Sequence, residues 1–156
     1  MNKVKTNSKM QWFVMGMMVL TIFSCKPKEV QDVERPVINS VMVNSVQQET
    51  HELTAGNSFV VQVGLTDNED LSQLKINVHS ADDGHGHVDL PGYEGLENVG
   101  LWSYSRVFDL SGTASSPTST IAIPDTITGV WHLEIMAIDK AGNESDEKVY
   151  NLVVLP

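Results

Sequence analysis

The chain has 156 residues, with twenty acids against ten bases and a formal net charge of −10 at pH 7. That balance excludes nucleic acid and anionic membrane surfaces as partners, because both would be repelled, and it suits the attraction of cations. A single cysteine leaves no intramolecular disulfide, so the hydrophobic core must hold the fold unaided, as a domain of this size can.

The first nine residues carry Lys3, Lys5 and Lys9 and no acid, and an apolar-to-neutral run follows from Trp12 to Phe23. A basic start, a short apolar stretch and a small residue are the parts of a secretory signal. The run is too short to span ~30 Å of hydrocarbon, which takes about 20 apolar residues. Ile22-Phe23-Ser24-Cys25 resembles a bacterial lipobox, with a branched apolar residue at −3 and a small one before the cysteine. The expectation is cleavage after Ser24 and lipid on Cys25, which also accounts for a lone thiol in an exported chain. Residues 1–24 are then signal peptide, and the remaining part carries all twenty acids against seven bases.

Residues 25–35 are polar, aperiodic and read as a tether. Residues 36–156 are read as one domain, patterned for strands. Alternation or β-branching marks Val37–Val43, Ser58–Thr66, Leu71–His79, Leu101–Leu110, Thr118–Ile123, Val130–Asp139 and Lys148–Leu155. Turn formers separate them, among them Asp67-Asn68-Glu69-Asp70 and Lys140-Ala141-Gly142-Asn143. The Asp67–Asp70 run lacks the spaced ligands and glycine of an EF-hand and reads as an Asx-capped turn. No helical period is sustained. The pattern predicts an all-β fold, an immunoglobulin-like Greek-key sandwich of about seven antiparallel strands. Gly129-Val-Trp-His through Ala-Gly-Asn143 looks like the sixth strand and following turn of bacterial immunoglobulin-like modules.

The chemistry-bearing passage is His79-Ser-Ala-Asp82-Asp83-Gly84-His85-Gly86-His87-Val-Asp89. Imidazole and carboxylate are ligands for zinc, copper and related divalent ions, and glycine lets His85 and His87 aim at one point. In a Greek-key sandwich the end of the third predicted strand meets the start of the sixth, where His132 lies. Alternation places Leu74, Ile76 and Val78 inward and His79 outward, and likewise Trp131 and Leu133 inward and His132 outward. The two histidines are therefore expected as an outer-face cross-strand pair. His51 is read as a loop residue outside the ligand set. Asp82 and Asp83 are candidate ligands or acceptors that orient an imidazole.

The lipobox, the strand pattern, the His-Ser-Ala-Asp-Asp-Gly-His-Gly-His run and Gly-Val-Trp-His together resemble a family of small lipoproteins from Bacteroidota, the domain of unknown function 4625. The resemblance covers nearly all of residues 36–155. It implies an envelope lipoprotein with an immunoglobulin-like domain and supplies no activity; the expected location is the outer membrane, on its periplasmic or its surface face.

The reading that follows is a non-enzymatic, lipid-anchored protein that binds zinc or copper through His79, His85, His87 and His132, with Asp82 or Asp83. The alternative is a structural or adhesive module that contacts an envelope protein or a glycan and has no metal role. No nucleophile-elbow sequence supports covalent catalysis. The anchor has a direct check. In a bacterium that processes lipoproteins, the chain should take up labelled palmitate and sediment with membranes, and Cys25→Ala should abolish both.

Overall fold

The structure, a computed structural model, describes residues 31–81 and 90–156. Cys25, Asp82, Asp83, His85 and His87 lie outside the described residues.

Nine strands follow in chain order: β1 Val37–Val43, β2 Thr50–Thr54, β3 Ser58–Thr66, β4 Leu71–Ser80, β5 Tyr104–Asp109, β6 Ala114–Ser115, β7 Thr118–Ala122, β8 Gly129–Asp139 and β9 Lys148–Leu155. They form two sheets. In one, β3 is flanked by β1 on one side and by β6 and β7 on the other. The second runs β2-β9-β8-β4-β5. All-β architecture follows from strict alternation: β8 switches between buried and half-buried at every one of its eleven positions, so one face enters the core and the other meets solvent.

Two strands were hidden in the sequence, and one of them changes the strand directions. β2 pairs with β9 in parallel, with Thr50 opposite Asn151 and Thr54 opposite Leu155, so the strands are mixed and not wholly antiparallel. Its inward residues are His51 and Leu53; a histidine in an apolar slot erases the period-2 signal that marks a strand. β6 spans two residues, too few to show any period. The predicted strand over Leu101–Leu110 begins only at Tyr104. Leu101 is 97% exposed, and Trp102 is committed instead to edge-on contacts with Trp131 and Phe59.

The core fills the space between the sheets. Val61, Val63, Leu65 and Ile121 come from one, and Leu74, Ile76, Leu133, Ile135 and Leu152 from the other, all fully buried. Each such side chain contributes about 1.5–3 kcal/mol relative to exposure. The longest ladder is β4 against β8, from Leu71 opposite Asp139, through His79 opposite His132, to Ser80 opposite Trp131. At ~3.3 Å per residue Leu71 and His79 stand about 26 Å apart.

At the end where β8 begins, residues 90–103 are fastened by Asn98. Its Oδ1 accepts from Val130 N at 2.5 Å, while its Nδ2 donates to Val130 O at 2.8 Å and Ser80 Oγ at 3.0 Å. This clamp requires glycine at position 129. Gly129 has φ of +115°, and a β-carbon there would fall 2.0 Å from Asn98 Oδ1. Gly129→Ala should therefore cost about 2–4 kcal/mol, from the disfavoured backbone and the broken clamp together, read as a lower urea midpoint at unchanged slope.

Candidate functional site

His79 and His132 stand directly opposite each other on β4 and β8. Their rings meet edge to face with centroids 5.6 Å apart. Both project from the outer face because their neighbours Val78, Trp131 and Leu133 are buried in the core. Glu134, two residues beyond His132 and on the same face, places Oε1 2.8 Å from His79 Nε2. Both side chains are about three-quarters covered, at 23% and 26% exposure, so the pair is screened less than a surface ion pair. His79 Nδ1 lies 3.0 Å from the Ser80 carbonyl. A carbonyl can only accept, so Nδ1 carries a proton and donates to it. Nε2 is then the nitrogen turned toward Glu134, whose carboxylate also accepts, so a proton lies between them that a metal ion bound at Nε2 would displace.

The structure thus brings together His79, His132 and a residue absent from the predicted ligand set, Glu134. Alternation alone could have nominated it, since i and i+2 share a sheet face. The contributions of His85, His87, Asp82 and Asp83 fall outside the described residues.

His51 differs from the expectation in place and in facing. It belongs to strand β2, not to a loop, and it is 4% exposed. Register puts it in one row with Leu152, Trp131 and Ser80, at the same end of the domain as His79 and His132 but on the inner face. Its ring tilts against Tyr150 at 6.4 Å, Nδ1 lies 3.5 Å from the Gln48 amide, and Nε2 is buried with no hydrogen-bond partner among the described residues. Burial holds its pKa below the usual histidine value, with the Gln48 backbone opposing. Burial, with help from Glu49, likewise raises Tyr150.

The opposite end of the β4–β8 ladder carries oxygen chemistry. Asp139 ends β8 and is 2% exposed. Asp67 opens the turn between β3 and β4, and Asp32 precedes β1. One carboxylate oxygen from each lies within 4.8 Å of the other two. Among the described residues no other three His, Cys, Asp or Glu side chains converge this closely.

The described chain is thus a two-sheet β protein with an imidazole–carboxylate face at one end and a carboxylate cluster at the other. It belongs to the family described as a domain of unknown function (DUF4625), whose model matches residues 23–154. No curated protein matches the chain. Among solved structures, the chain is similar to the crystal structure of a Niemann-Pick type C2 protein from Japanese carpenter ant, at 8% identity and a TM-score of 0.48. That match covers 78% of this chain and 94% of the other.

Burial of His51 gives a pH dependence with a defined sign. The folded state binds this proton more weakly than the unfolded chain, so stability is full above about pH 6.5 and falls as pH drops below it. His51→Phe should flatten the unfolding midpoint between pH 7 and pH 5 relative to the unsubstituted protein, measured by thermal melts across that range.

Proposed function

We propose that the protein is a lipid-anchored envelope protein, held through Cys25, whose immunoglobulin-like Greek-key domain binds a divalent transition ion, zinc or copper. The ligands are His79 and His132, joined by His85 or His87 from the adjoining segment, with Asp82 and Asp83 as further ligands or orienting acceptors. The strand order supports the fold reading: β1-β3-β7 face β2-β9-β8-β4-β5, which brings the third and sixth predicted strands side by side. Membership in the family is compatible with this reading and adds no activity to it.

One observation carries the metal assignment: His79 and His132 are in register on the same outer face, with Glu134 against His79 Nε2. A ligating histidine characteristically donates its other ring N–H to a carbonyl or carboxylate, which fixes the ring and the tautomer. His79 does so through Nδ1 to Ser80 O, which orients Nε2 outward. Bonds of 2.0–2.1 Å in a tetrahedral site put adjacent ligand atoms about 3.3 Å apart. The 2.8 Å between His79 Nε2 and Glu134 needs to open by only about half an ångström to admit an ion, or Glu134 can swing to hold the imidazole from outside. With Cys25 taken by lipid, nitrogen and oxygen are the donors left, and such a set suits zinc or copper(II) over softer ions.

Calorimetric titration of the full-length, detergent-solubilised chain, purified without a polyhistidine tag, tests the reading. Zinc or copper should bind at a saturable site. His79→Ala and His132→Ala should each weaken it roughly 10- to 100-fold, the usual size of losing a ligand or its support. His51→Phe, on the inner face, should leave it unchanged. Absence of saturable heat with either ion, or binding indifferent to His79→Ala, would sink the proposal.

A further inference from the structure

We propose that Asp32, Asp67 and Asp139 form a calcium site that fastens the segment before β1 to the turns β3–β4 and β8–β9. The assignment is independent of the histidine face, which lies at the far end of the β4–β8 ladder.

The three ligand oxygens all lie within 4.8 Å of one another. Calcium takes oxygen ligands at about 2.3–2.6 Å, so any two ligands of one ion are at most about 5 Å apart. The donor set is oxygen alone, which suits a hard cation and not the transition ions of the imidazole face.

A separate observation points to a missing partner. Asp67 Oδ2 is occupied by the turn, accepting from Glu69 N at 3.0 Å and Asp70 N at 2.9 Å. Asp67 is half-buried as a residue, but its Oδ1, the oxygen left over, is a buried atom with no hydrogen-bond partner among the described residues. A buried carboxylate oxygen without a donor is costly, and a cation relieves that cost.

Asp139 adds a charge argument. It is 2% exposed, and its donors are neutral: Asn143 N at 2.8 Å to Oδ1 and Asn143 Nδ2 at 2.6 Å to Oδ2. Buried charges are ordinarily paired or bound to metal. Among the described residues the nearby cations are engaged elsewhere, Lys140 with Asp70 and Arg35 with Asp146. No basic side chain among them pairs with the three aspartates.

Asn143 supplies the route by which a fourth ligand joins. Its Nδ2 also donates to the Asp32 carbonyl at 3.3 Å, so its amide already spans two of the three elements. Rotation by half a turn about its terminal bond exchanges donor for acceptor and presents Oδ1 to a bound ion. Asn68 Nδ2 and Glu34 N, each 3.0 Å from Asp32 Oδ1, hold that carboxylate in place.

The test uses the full-length, detergent-solubilised chain stripped with chelator and titrated with calcium chloride. One saturable site is expected. The unfolding midpoint should rise by about 5–10 °C when calcium exceeds its dissociation constant a hundredfold. Amide exchange over residues 31–36 should slow at least tenfold. Asp32 lies outside every strand, so Asp32→Ala is expected to keep the chelator-state midpoint while losing at least tenfold in calcium affinity. His79→Ala should lose none. Magnesium, which demands tighter octahedral geometry, should bind at least tenfold more weakly. Absence of saturable binding overturns the site, and so does calcium binding indifferent to both Asp32→Ala and Asp139→Asn. Magnesium affinity equal to that of calcium overturns the choice of ion.

Discussion

The antiparallel ladder between β4 and β8 is the constraint on which the rest depends. Its register is fixed from Leu71 opposite Asp139 to His79 opposite His132, and a slip by one residue would turn every inward side chain to solvent. Leu74, Ile76, Leu133, Ile135 and Ala137 are all fully buried along it, so such a slip would forfeit several buried side chains at about 1.5–3 kcal/mol each. The same register decides the chemistry at both ends. It sets His79 beside His132 at one end, and at the other it carries Asp139 to where β4 begins, next to the turn that Asp67 opens.

How far this was legible in the sequence depends on whether a residue obeys the period of its strand. Val37–Val43, Ser58–Thr66 and Lys148–Leu155 match the predicted bounds because clean alternation in Ser58–Thr66 and a density of apolar, β-branched residues in the other two mark them as strands. The pairing of His79 with His132 was also legible, since it needs only the facing of two strands and their adjacency. β2 was not legible, because His51 occupies an inward slot where an apolar residue is expected. Glu134 shares a face with His132 by simple count, but its contact with His79 is diagonal across the ladder, and a pattern along one strand does not show it. The aspartate cluster was the least legible. Asp32, Asp67 and Asp139 come from three separate parts of the chain, and each has a sufficient local explanation as tether or turn residue.

The acidity of the chain acquires a local meaning from this arrangement. Acidic surfaces are ordinarily spread and solvated, and then say little beyond solubility. Here part of the charge is drawn inward. Asp139 is almost wholly covered, and Asp67 keeps one oxygen from water. Lys140 and Arg35 pair with Asp70 and Asp146 at the rim, which neutralises the surroundings and leaves the centre anionic. At the opposite end His79 and His132 stand side by side, and among the described residues Glu134 meets His79. On the two proposed assignments the ends would take different ions: oxygen alone for a hard cation, nitrogen with oxygen for a borderline one.

The position of the aspartates relative to the proposed anchor gives this separation a mechanical consequence. From Cys25 to Val37 the chain can reach at most about 42 Å when fully extended, at ~3.5 Å per residue. With Asp32 held against the β3–β4 and β8–β9 turns, seven steps separate Cys25 from the held residue, at most about 25 Å by the same measure. On the proposed lipid anchor, that smaller maximal reach would set a nearer limit on the distance between membrane and domain. The histidine pair lies about 26 Å along the β4–β8 ladder from its acidic end. A cation at the acidic end would then act on the imidazole face without touching it, by narrowing the range of heights and angles at which that face is presented. Such a coupling would require no change inside the sandwich, only a smaller maximal reach between anchor and domain.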